Sequence, residues 1–355
     1  MIAVIMAGGV GSRFWPRSRA QRPKQLLDIV SEQTMLRVTY DRLSQITDTS
    51  MIYVVAGPTL KDAILSELSE MPDENLIVEP SGKNTAPAIG LVAALRKNDT
   101  TDDVMGVFPS DHLITDVDAF RNDVQAGIDF ASSEDALVTF GINPSKPATG
   151  YGYIKYDHNS PGGGKQIYKG DRFVEKPDLD KAEVMVASGD YLWNGGMFIW
   201  SVSSILRALE NHLPHMYKKL ESIRLGRERK DYERFFKLTW TEIKSESIDY
   251  GVLEQATNVY VIKSTFDWND VGSWDALYDI SKKDASGNVS RGDIQALNSE
   301  NCFFHTDDLR ISTVGVKDLI VVKSGNALLI VNRTESEQVK QIVTDLKSGN
   351  NLDYL

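Results

Sequence analysis

From Met1 to Phe140 short apolar runs alternate with amphipathic stretches, and this rhythm leaves few folds open. Met1–Met6, Met51–Ala56, Leu76–Val78, Val104–Phe108 and Ala136–Phe140 read as buried strands bounded by Gly, Pro or Asp. Between them Leu60, Ile64, Leu68 and Met71, and then Ile89, Leu91 and Leu95, keep the three-to-four spacing of a helix face. Strands joined by helical crossovers of one hand predict an α/β fold with a mostly parallel sheet covered on both faces. In such sheets ligands bind outside the carboxyl ends of the strands. Each residue directly after a strand is therefore a candidate.

The middle of the chain differs. Gly150–Asp157 and Gln166–Lys176 alternate like a hairpin around a tip at Asn159-Ser-Pro-Gly-Gly-Gly164. Helical material runs from about Ser203 to Phe236, and Val259–Lys263 reads as a further strand. After Asp284 the pattern becomes short β-like runs: Ile294–Leu297, Cys302–His305, Ile311–Val314, Leu319–Lys323 and Ala327–Val331, closed by a helical stretch at Glu335–Leu346. This predicts two domains, 1–284 and 285–355, the second short and β-rich with a terminal helix.

Composition excludes several classes. The chain of 355 residues is 41% apolar and 25% charged, the balance of an ordinary globular protein with a large core. A single cysteine, Cys302, rules out a disulfide framework and a multi-cysteine zinc site, and reads as a buried filler. No run approaches the ~18 apolar residues that span a bilayer. The opening MIAVIMAGG lacks a signal peptide's basic flank, so a cytoplasmic location is expected. A net charge of −11 argues against nucleic acid or an anionic membrane as partner. His212 and His215 stand three apart without a third ligand nearby and read as a surface pair.

Against that acidity, Arg13, Arg17, Arg19, Arg22 and Lys24 fall between Val10 and Leu27 with no acid among them. They flank Ala7-Gly-Gly-Val-Gly-Ser-Arg13, which directly follows the first strand and matches neither a dinucleotide fingerprint nor a P-loop. Glycines let backbone approach a ligand, successive amides form an anion nest, and Arg13 and Lys24 add charge. A triphosphate calls for that combination, whereas a solvated basic loop is the plainer alternative. Asp111 directly follows a strand and Asp270 lies just beyond another. Two such carboxylates suit Mg²⁺, although Asp also serves at turns and helix caps. Glu79 directly follows a strand, where a carboxylate suits the N–H donors of a purine, and Asn84 is placed to cap the helix that Thr85-Ala-Pro opens. Glu175-Lys176 ends a strand, where a carboxylate and an ammonium suit sugar hydroxyls and a sugar phosphate.

The run Gly8-Gly-Val-Gly-Ser-Arg-Phe-Trp-Pro-Arg-Ser-Arg-Ala-Gln-Arg-Pro-Lys-Gln25 resembles the signature of sugar-nucleotide pyrophosphorylases, and most of all the mannose-1-phosphate guanylyltransferases. The resemblance continues through Glu79–Pro87, Phe108–His112, Thr149–Ile154, Phe173–Pro177, Trp193–Phe198, Ser247–Tyr250 and Asp267–Trp274, in that order. It implies a Rossmann-like nucleotidyltransferase domain with a mixed, mostly parallel sheet, then a short, left-handed β-helix-like domain. It further implies GMP transfer from GTP to α-D-mannose 1-phosphate with Mg²⁺ as cofactor. A homodimer is expected, because the β-rich tail can support one through strand or helix packing. By the same resemblance Arg13 and Lys24 are catalytic, and Asp111 and Asp270 hold the metal. The nucleotide is placed against Gly8, Gly9, Gly11, Ser12, Arg13, Lys24, Glu79, Gly82, Asn84, Thr85, Ser110 and Asp111. The sugar phosphate is placed against Gly152, Glu175, Lys176, Asn194 and Asp249, while Tyr151, Tyr153 and Trp193 are scaffold.

The chain departs from the family pattern at Gly195, where serine is usual, after Tyr250, and at Arg17, where leucine is common. These departures are expected in the wall of the sugar pocket, so they bear on sugar selectivity before reaction class. Longer family members add a phosphomannose isomerase domain, which a chain ending at Leu355 has no room to hold, so a single activity is expected. The rival readings are transfer of another nucleotide or hexose phosphate, and a catalytically silent regulatory subunit that binds sugar nucleotides. An NAD-dependent oxidoreductase is disfavoured for want of the fingerprint.

Overall fold

The computed structural model describes residues 1–9, 11–98, 100–161 and 166–355. Val10 of the glycine loop and the tip residues 162–164 of the expected hairpin lie outside the described residues. The chain folds into two compact units that interleave along the sequence. The first comprises Met1–Gly8, Tyr40–Pro109 and Ile114–Trp268; the second comprises Gly9–Thr39, Ser110–Leu113 and Asn269–Leu355.

In the first unit nine strands form one sheet: β1 (Ile2–Met6), β2 (Ile52–Ala56), β3 (Leu76–Val78), β4 (Val104–Pro109), β5 (Leu137–Ile142), β6 (Tyr153–Pro161), β7 (Ile167–Val174), β8 (Tyr191–Ser201) and β9 (Val259–Lys263). Their order is β3-β2-β1-β4-β8-β5-β9-β7-β6. The ladders among β1, β2, β3 and β4 are parallel, as is β5 with β9, whereas β7 and β8 run against their neighbours. The expected mixed, mostly parallel sheet is thus the observed one.

The strands expected over the first 140 residues and at Val259–Lys263 all form, with ends shifted by no more than two residues. β8 is the strand the sequence pattern does not announce. Asn194, Gly195 and Gly196 interrupt its apolar run, and the ladder to β5 is irregular there. The helix α1 (Thr85–Arg96) is apolar nearly all round and is buried from Ala86 to Ala94. It packs with Val202–His212 and Pro214–Leu225, and Gly90 makes room, since a Cβ there would lie 2.6 Å from a Leu220 methyl. Other helices start where an acid caps them. Asp116 accepts from the Ala119 amide to open Val117–Ser133, and Asp178 accepts from the Lys181 amide to open Leu179–Ser188.

The second unit contains β10 (Val289–Arg291), β11 (Ile294–Leu297), β12 (Phe303–Thr306), β13 (Ile311–Val314), β14 (Leu319–Ser324) and β15 (Ala327–Asn332). Parallel ladders β10-β12-β14 and β11-β13 stack successive coils, as in a β-helix, and β15 turns back antiparallel on β14. Between successive coil strands Asn298, Asn301, Gly315 and Asp318 take positive φ, a conformation that Gly, Asn and Asp tolerate best. The terminal helix runs Val339–Ser348 after a 3₁₀ turn at Arg333–Gln338. One core joins Phe303, Ile320, Val322 and Leu329 of the coils to Trp274 and Leu277, and to Phe14, Trp15 and Leu27 of the basic loop. Trp274 Nε1 donates to the Trp15 carbonyl at 3.0 Å, and Trp15 Nε1 donates to the Tyr354 carbonyl at 2.8 Å. The basic loop therefore folds as part of the unit that holds the β-coils. Cys302 is buried there, as expected of a filler. No helix among the described residues is long and apolar enough to cross a membrane.

Candidate active site

In the second unit the basic loop depends on one glycine. Gly11 has φ +59°, and a Cβ on it would lie 2.3 Å from Lys24 Cβ and 2.9 Å from the Lys24 amide nitrogen. Only glycine lets these two segments close. Gly8 and Gly9 are exposed, with open space where a Cβ would be, so their backbone is open to a ligand.

Lys24 is buried, with 7% of its side chain exposed. Its ammonium lies 2.9 Å from Asp111 Oδ2, and it donates to the Asp111 carbonyl at 3.0 Å and to the Asp270 carbonyl at 2.5 Å. Three oxygens thus match the three N–H donors of an ammonium. Lys24, expected to meet a phosphate, ties together the two segments that carry the expected metal carboxylates. A short antiparallel bridge does the same through backbone: Leu113 N donates to Asn269 O at 2.8 Å and Asn269 N to Leu113 O at 3.0 Å. These links bring together aspartates 159 residues apart in sequence. Burial alone would raise the Asp111 carboxyl, but the charges of Lys24 and His112, with the Lys24 hydrogen bond, hold it below the usual carboxylate range. It therefore stays ionised at neutral pH.

Among the described residues no three or more His, Cys, Asp or Glu gather as a metal cage. Two carboxylates are what Mg²⁺ commonly takes from protein when phosphates and water complete its shell, so the donor set fits that ion. Arg13 Nε lies 2.6 Å from Glu337 Oε2, with 42% and 57% of the two side chains exposed. A pair this open contributes about 0–1 kcal/mol, so a phosphate can readily take the place of Glu337.

The other arginines of the basic run are occupied. Arg17 pairs with Asp28 at 2.7 Å, Arg22 meets the same carboxylate at 3.1 Å, and Arg19 donates to the carbonyls of Pro16 and Tyr354. The anion reading of the run thus narrows to Arg13 and Lys24. Arg17, expected in a sugar-pocket wall, is instead buried in the second unit beside Asp28. Asp28 compensates the charge of the buried guanidinium.

In the first unit Glu79 directly follows β3 and is 5% exposed, and its Oε1 is buried without a hydrogen-bond partner. Burial raises its carboxyl to about 7. An unsatisfied buried acceptor is costly, which suits a site whose ligand brings N–H donors. Asn84 performs the capping role: its Oδ1 accepts from the Thr85 amide at 2.8 Å, and Thr85 Oγ1 accepts from the Ile248 amide at 2.8 Å. These bonds fix the Glu79–Thr85 loop, and Gly82 leaves open space on it. Ser110, in the second unit, is buried, and its carbonyl accepts from Thr39 Oγ1 at 3.3 Å.

All five residues expected at the sugar phosphate meet in the first unit. Asn194 N donates to Gly152 O at 2.8 Å, and Asn194 Nδ2 donates to Asp249 Oδ1 at 2.9 Å. Lys176 forms an ion pair with Glu175. A Cβ on Gly152 would lie 2.4 Å from Glu175 Oε2, so the glycine makes room for that carboxylate. Burial and the neighbouring Glu175 charge raise Asp249 to about 6, against the pull of Lys176 and Asn194. Tyr153 is fully buried with its hydroxyl donated to Ala148 O at 2.9 Å, and Tyr151 packs on Trp193 at 4.9 Å and on Trp268 at 5.4 Å, as scaffold. Gly195 has a reason in the backbone: a Cβ there would sit 3.0 Å from Phe140 O. Two participants escaped the sequence reading. Glu337 and the buried hydroxyl of Thr139 carry no local motif, and only the fold brings them to Arg13 and Asn194.

A sheet of this order, with a glycine-rich loop after β1 and carboxylates after β4 and β9, defines a nucleotidyltransferase. The nucleotidyl transferase family model matches residues 2–287, and a MannoseP isomerase/GMP-like beta-helix domain model matches residues 292–346. The chain belongs to the mannose-1-phosphate guanylyltransferase family of nucleotidyltransferases. It is 37% identical to the mannose-1-phosphate guanylyltransferase of Klebsiella pneumoniae over 100% of this chain and 75% of that protein. It is 38% identical to that of Escherichia coli K12 over 97% of this chain and 73% of that protein. A crystal structure from Thermus thermophilus, described as a mannose-1-phosphate geranyltransferase, is similar at a TM-score of 0.87 and 30% identity, covering 97% of this chain and 98% of that one.

Proposed function

We propose that this protein transfers GMP from GTP to α-D-mannose 1-phosphate, giving GDP-mannose and pyrophosphate. The observation that carries the reading is the joining of Asp111 and Asp270 through Lys24 in a chain of this family. A phosphate oxygen of the sugar phosphate forms a bond to the α-phosphorus of GTP. The bond from that phosphorus to the α,β-bridging oxygen breaks, and its electrons leave with pyrophosphate. No side-chain nucleophile is needed, so catalysis rests on alignment and charge neutralisation.

Asp111 and Asp270 are the residues that would hold Mg²⁺, which when bound neutralises charge on the phosphates. Lys24 holds those two segments in register. Arg13 exchanges Glu337 for the triphosphate, and the open backbone at Gly8 and Gly9, with Ser12 beside it in the loop, faces the phosphates. Glu79 accepts from guanine N–H groups, on the loop that Gly82, Asn84 and Thr85 shape. Ser110 supports the turn that carries Asp111. Lys176 anchors the incoming phosphate, while Glu175, Asp249 and Asn194, with the Gly152 backbone, receive sugar hydroxyls.

The reading includes a cytoplasmic homodimer. Leu328 and Ile330, 54% and 62% exposed on the edge strand β15, are apolar residues that an association would cover. Asp111→Asn tests the metal arm: pyrophosphate release from GTP and mannose 1-phosphate is expected to need about tenfold more Mg²⁺ for half-maximal rate than in the wild type. An unchanged metal titration overturns the assignment of Asp111.

A further inference from the structure

Thr139 is a hydroxyl placed where a methyl would be expected. It lies on β5, fully buried, between Val138 and Phe140 in a strand otherwise made of apolar residues and Gly141. Burying a hydroxyl is unfavourable unless it is bonded, and this one is. Its Oγ1 lies 2.9 Å from Asn194 Oδ1 and 3.1 Å from the Met197 carbonyl. Both atoms belong to the irregular stretch of β8. There the ladder passes from Thr139↔Phe198 to Gly141↔Asn194, so Gly195, Gly196 and Met197 stand opposite Phe140 alone. Such bulges re-aim a side chain, and here the re-aimed side chain is Asn194.

An amide of this kind can sit either way round, with oxygen and nitrogen exchanged. The Gly196 amide can only donate, at 3.2 Å, so the oxygen of Asn194 faces it, and the single Thr139 proton goes to that oxygen at 2.9 Å in preference to the Met197 carbonyl at 3.1 Å. The nitrogen is then turned toward Asp249, whose Oδ1 it reaches at 2.9 Å. A line of hydrogen bonds runs from a buried strand hydroxyl to a carboxylate that shares its surroundings with Glu175 and Lys176.

We propose that Thr139 is a positioning residue for the sugar-phosphate site: it fixes the orientation of the Asn194 amide and, through it, the carboxylate of Asp249. This rests on the transferase reading above. Without the hydroxyl, one of the two donors on Asn194 Oδ1 is gone, the amide can turn, and Asp249 then faces an oxygen in place of a donor. The effect falls on the hexose 1-phosphate and leaves GTP binding alone.

Thr139→Val keeps the shape and removes the donor, while Thr139→Ser restores it. Steady-state kinetics with purified protein are expected to show KM for mannose 1-phosphate raised about tenfold in Thr139→Val, with KM for GTP within about twofold of wild type, and recovery in Thr139→Ser. Thr139→Cys, of similar volume with a weaker donor, replaces the valine variant if that one does not fold, with the same split expected. A lowered melting temperature with both KM values unchanged means a purely structural threonine and overturns the proposal. A wild-type protein that is folded but inactive with every sugar phosphate overturns the transferase reading instead. In that case the side-chain amide resonances of Asn194 decide the Thr139 contact: a shift in Thr139→Val that Thr139→Ser reverses upholds it, and no shift refutes it.

Discussion

Lys24→Ala is expected to lower kcat by about 10²-fold, the scale of displacing groups that position the reacting atoms. The expected loss follows from where the ammonium sits. It touches Asp111 through carboxylate and carbonyl, and Asp270 through its carbonyl, so one truncation releases both segments expected to hold the metal. It also leaves the Asp111 carboxylate without its cation. Breaking a well-buried pair costs about 3–5 kcal/mol, and with 32% of the Asp111 side chain exposed the loss here is expected below that range. Stability and turnover therefore fall together. Lys24→Arg keeps the charge but replaces a compact ammonium by a wide planar group, and it should recover stability better than rate. Turnover of Lys24→Ala near that of the wild type would remove this residue from the mechanism.

Glu79→Gln acts in opposite directions on stability and on nucleotide binding. Burial raises the Glu79 carboxyl to about 7 from an ordinary 4.5, so the folded protein holds that proton more tightly than the unfolded chain does. A raised carboxyl leaves folding unpenalised below pH 4.5, and stability then falls as pH rises through 7. Above that the penalty is about 3 kcal/mol, from 1.36 kcal/mol per unit. The amide carries no such titration. The variant is therefore expected to be more stable than wild type at pH 8 by up to this amount, with the difference gone at pH 4.5, as read by urea unfolding at both pH values. Its KM for GTP is expected to rise about tenfold, because an amide meets guanine donors with only one acceptor. Equal stability at pH 8 would show that Glu79 is not strained by its burial.

Much of this was legible in the sequence, for identifiable reasons. Strands β1 to β5 are continuous apolar runs with Gly, Pro or Asp at their ends, so their period and bounds are written locally. β8 is not, because the Asn194–Gly196 break that ruins its pattern is the same break that aims Asn194. The residues assigned to the sugar phosphate were legible as motifs, and the structure gathers all five. The role of Lys24 was legible as charge but not as a contact, since its partners lie 87 and 246 residues away. The basic run overstated the anion site because Asp28 and the carbonyls that occupy Arg17, Arg19 and Arg22 carry no signal of their own. The interleaved units were illegible for a similar reason. A loop between β1 and β2 joins the unit of the β-coils through Phe14 and Trp15, two aromatics that local pattern leaves unassigned.

Transfer of GMP is decided by pyrophosphate release with Mg²⁺, crossing GTP, ATP, UTP, CTP and dTTP against mannose, glucose and N-acetylglucosamine 1-phosphates. Strong preference for GTP with mannose 1-phosphate is expected, with GDP-mannose as the accompanying product. Preference for another pair would keep the mechanism and contradict the substrate assignment. No release in any combination, from a folded protein that still binds GTP, would contradict the catalytic claim itself.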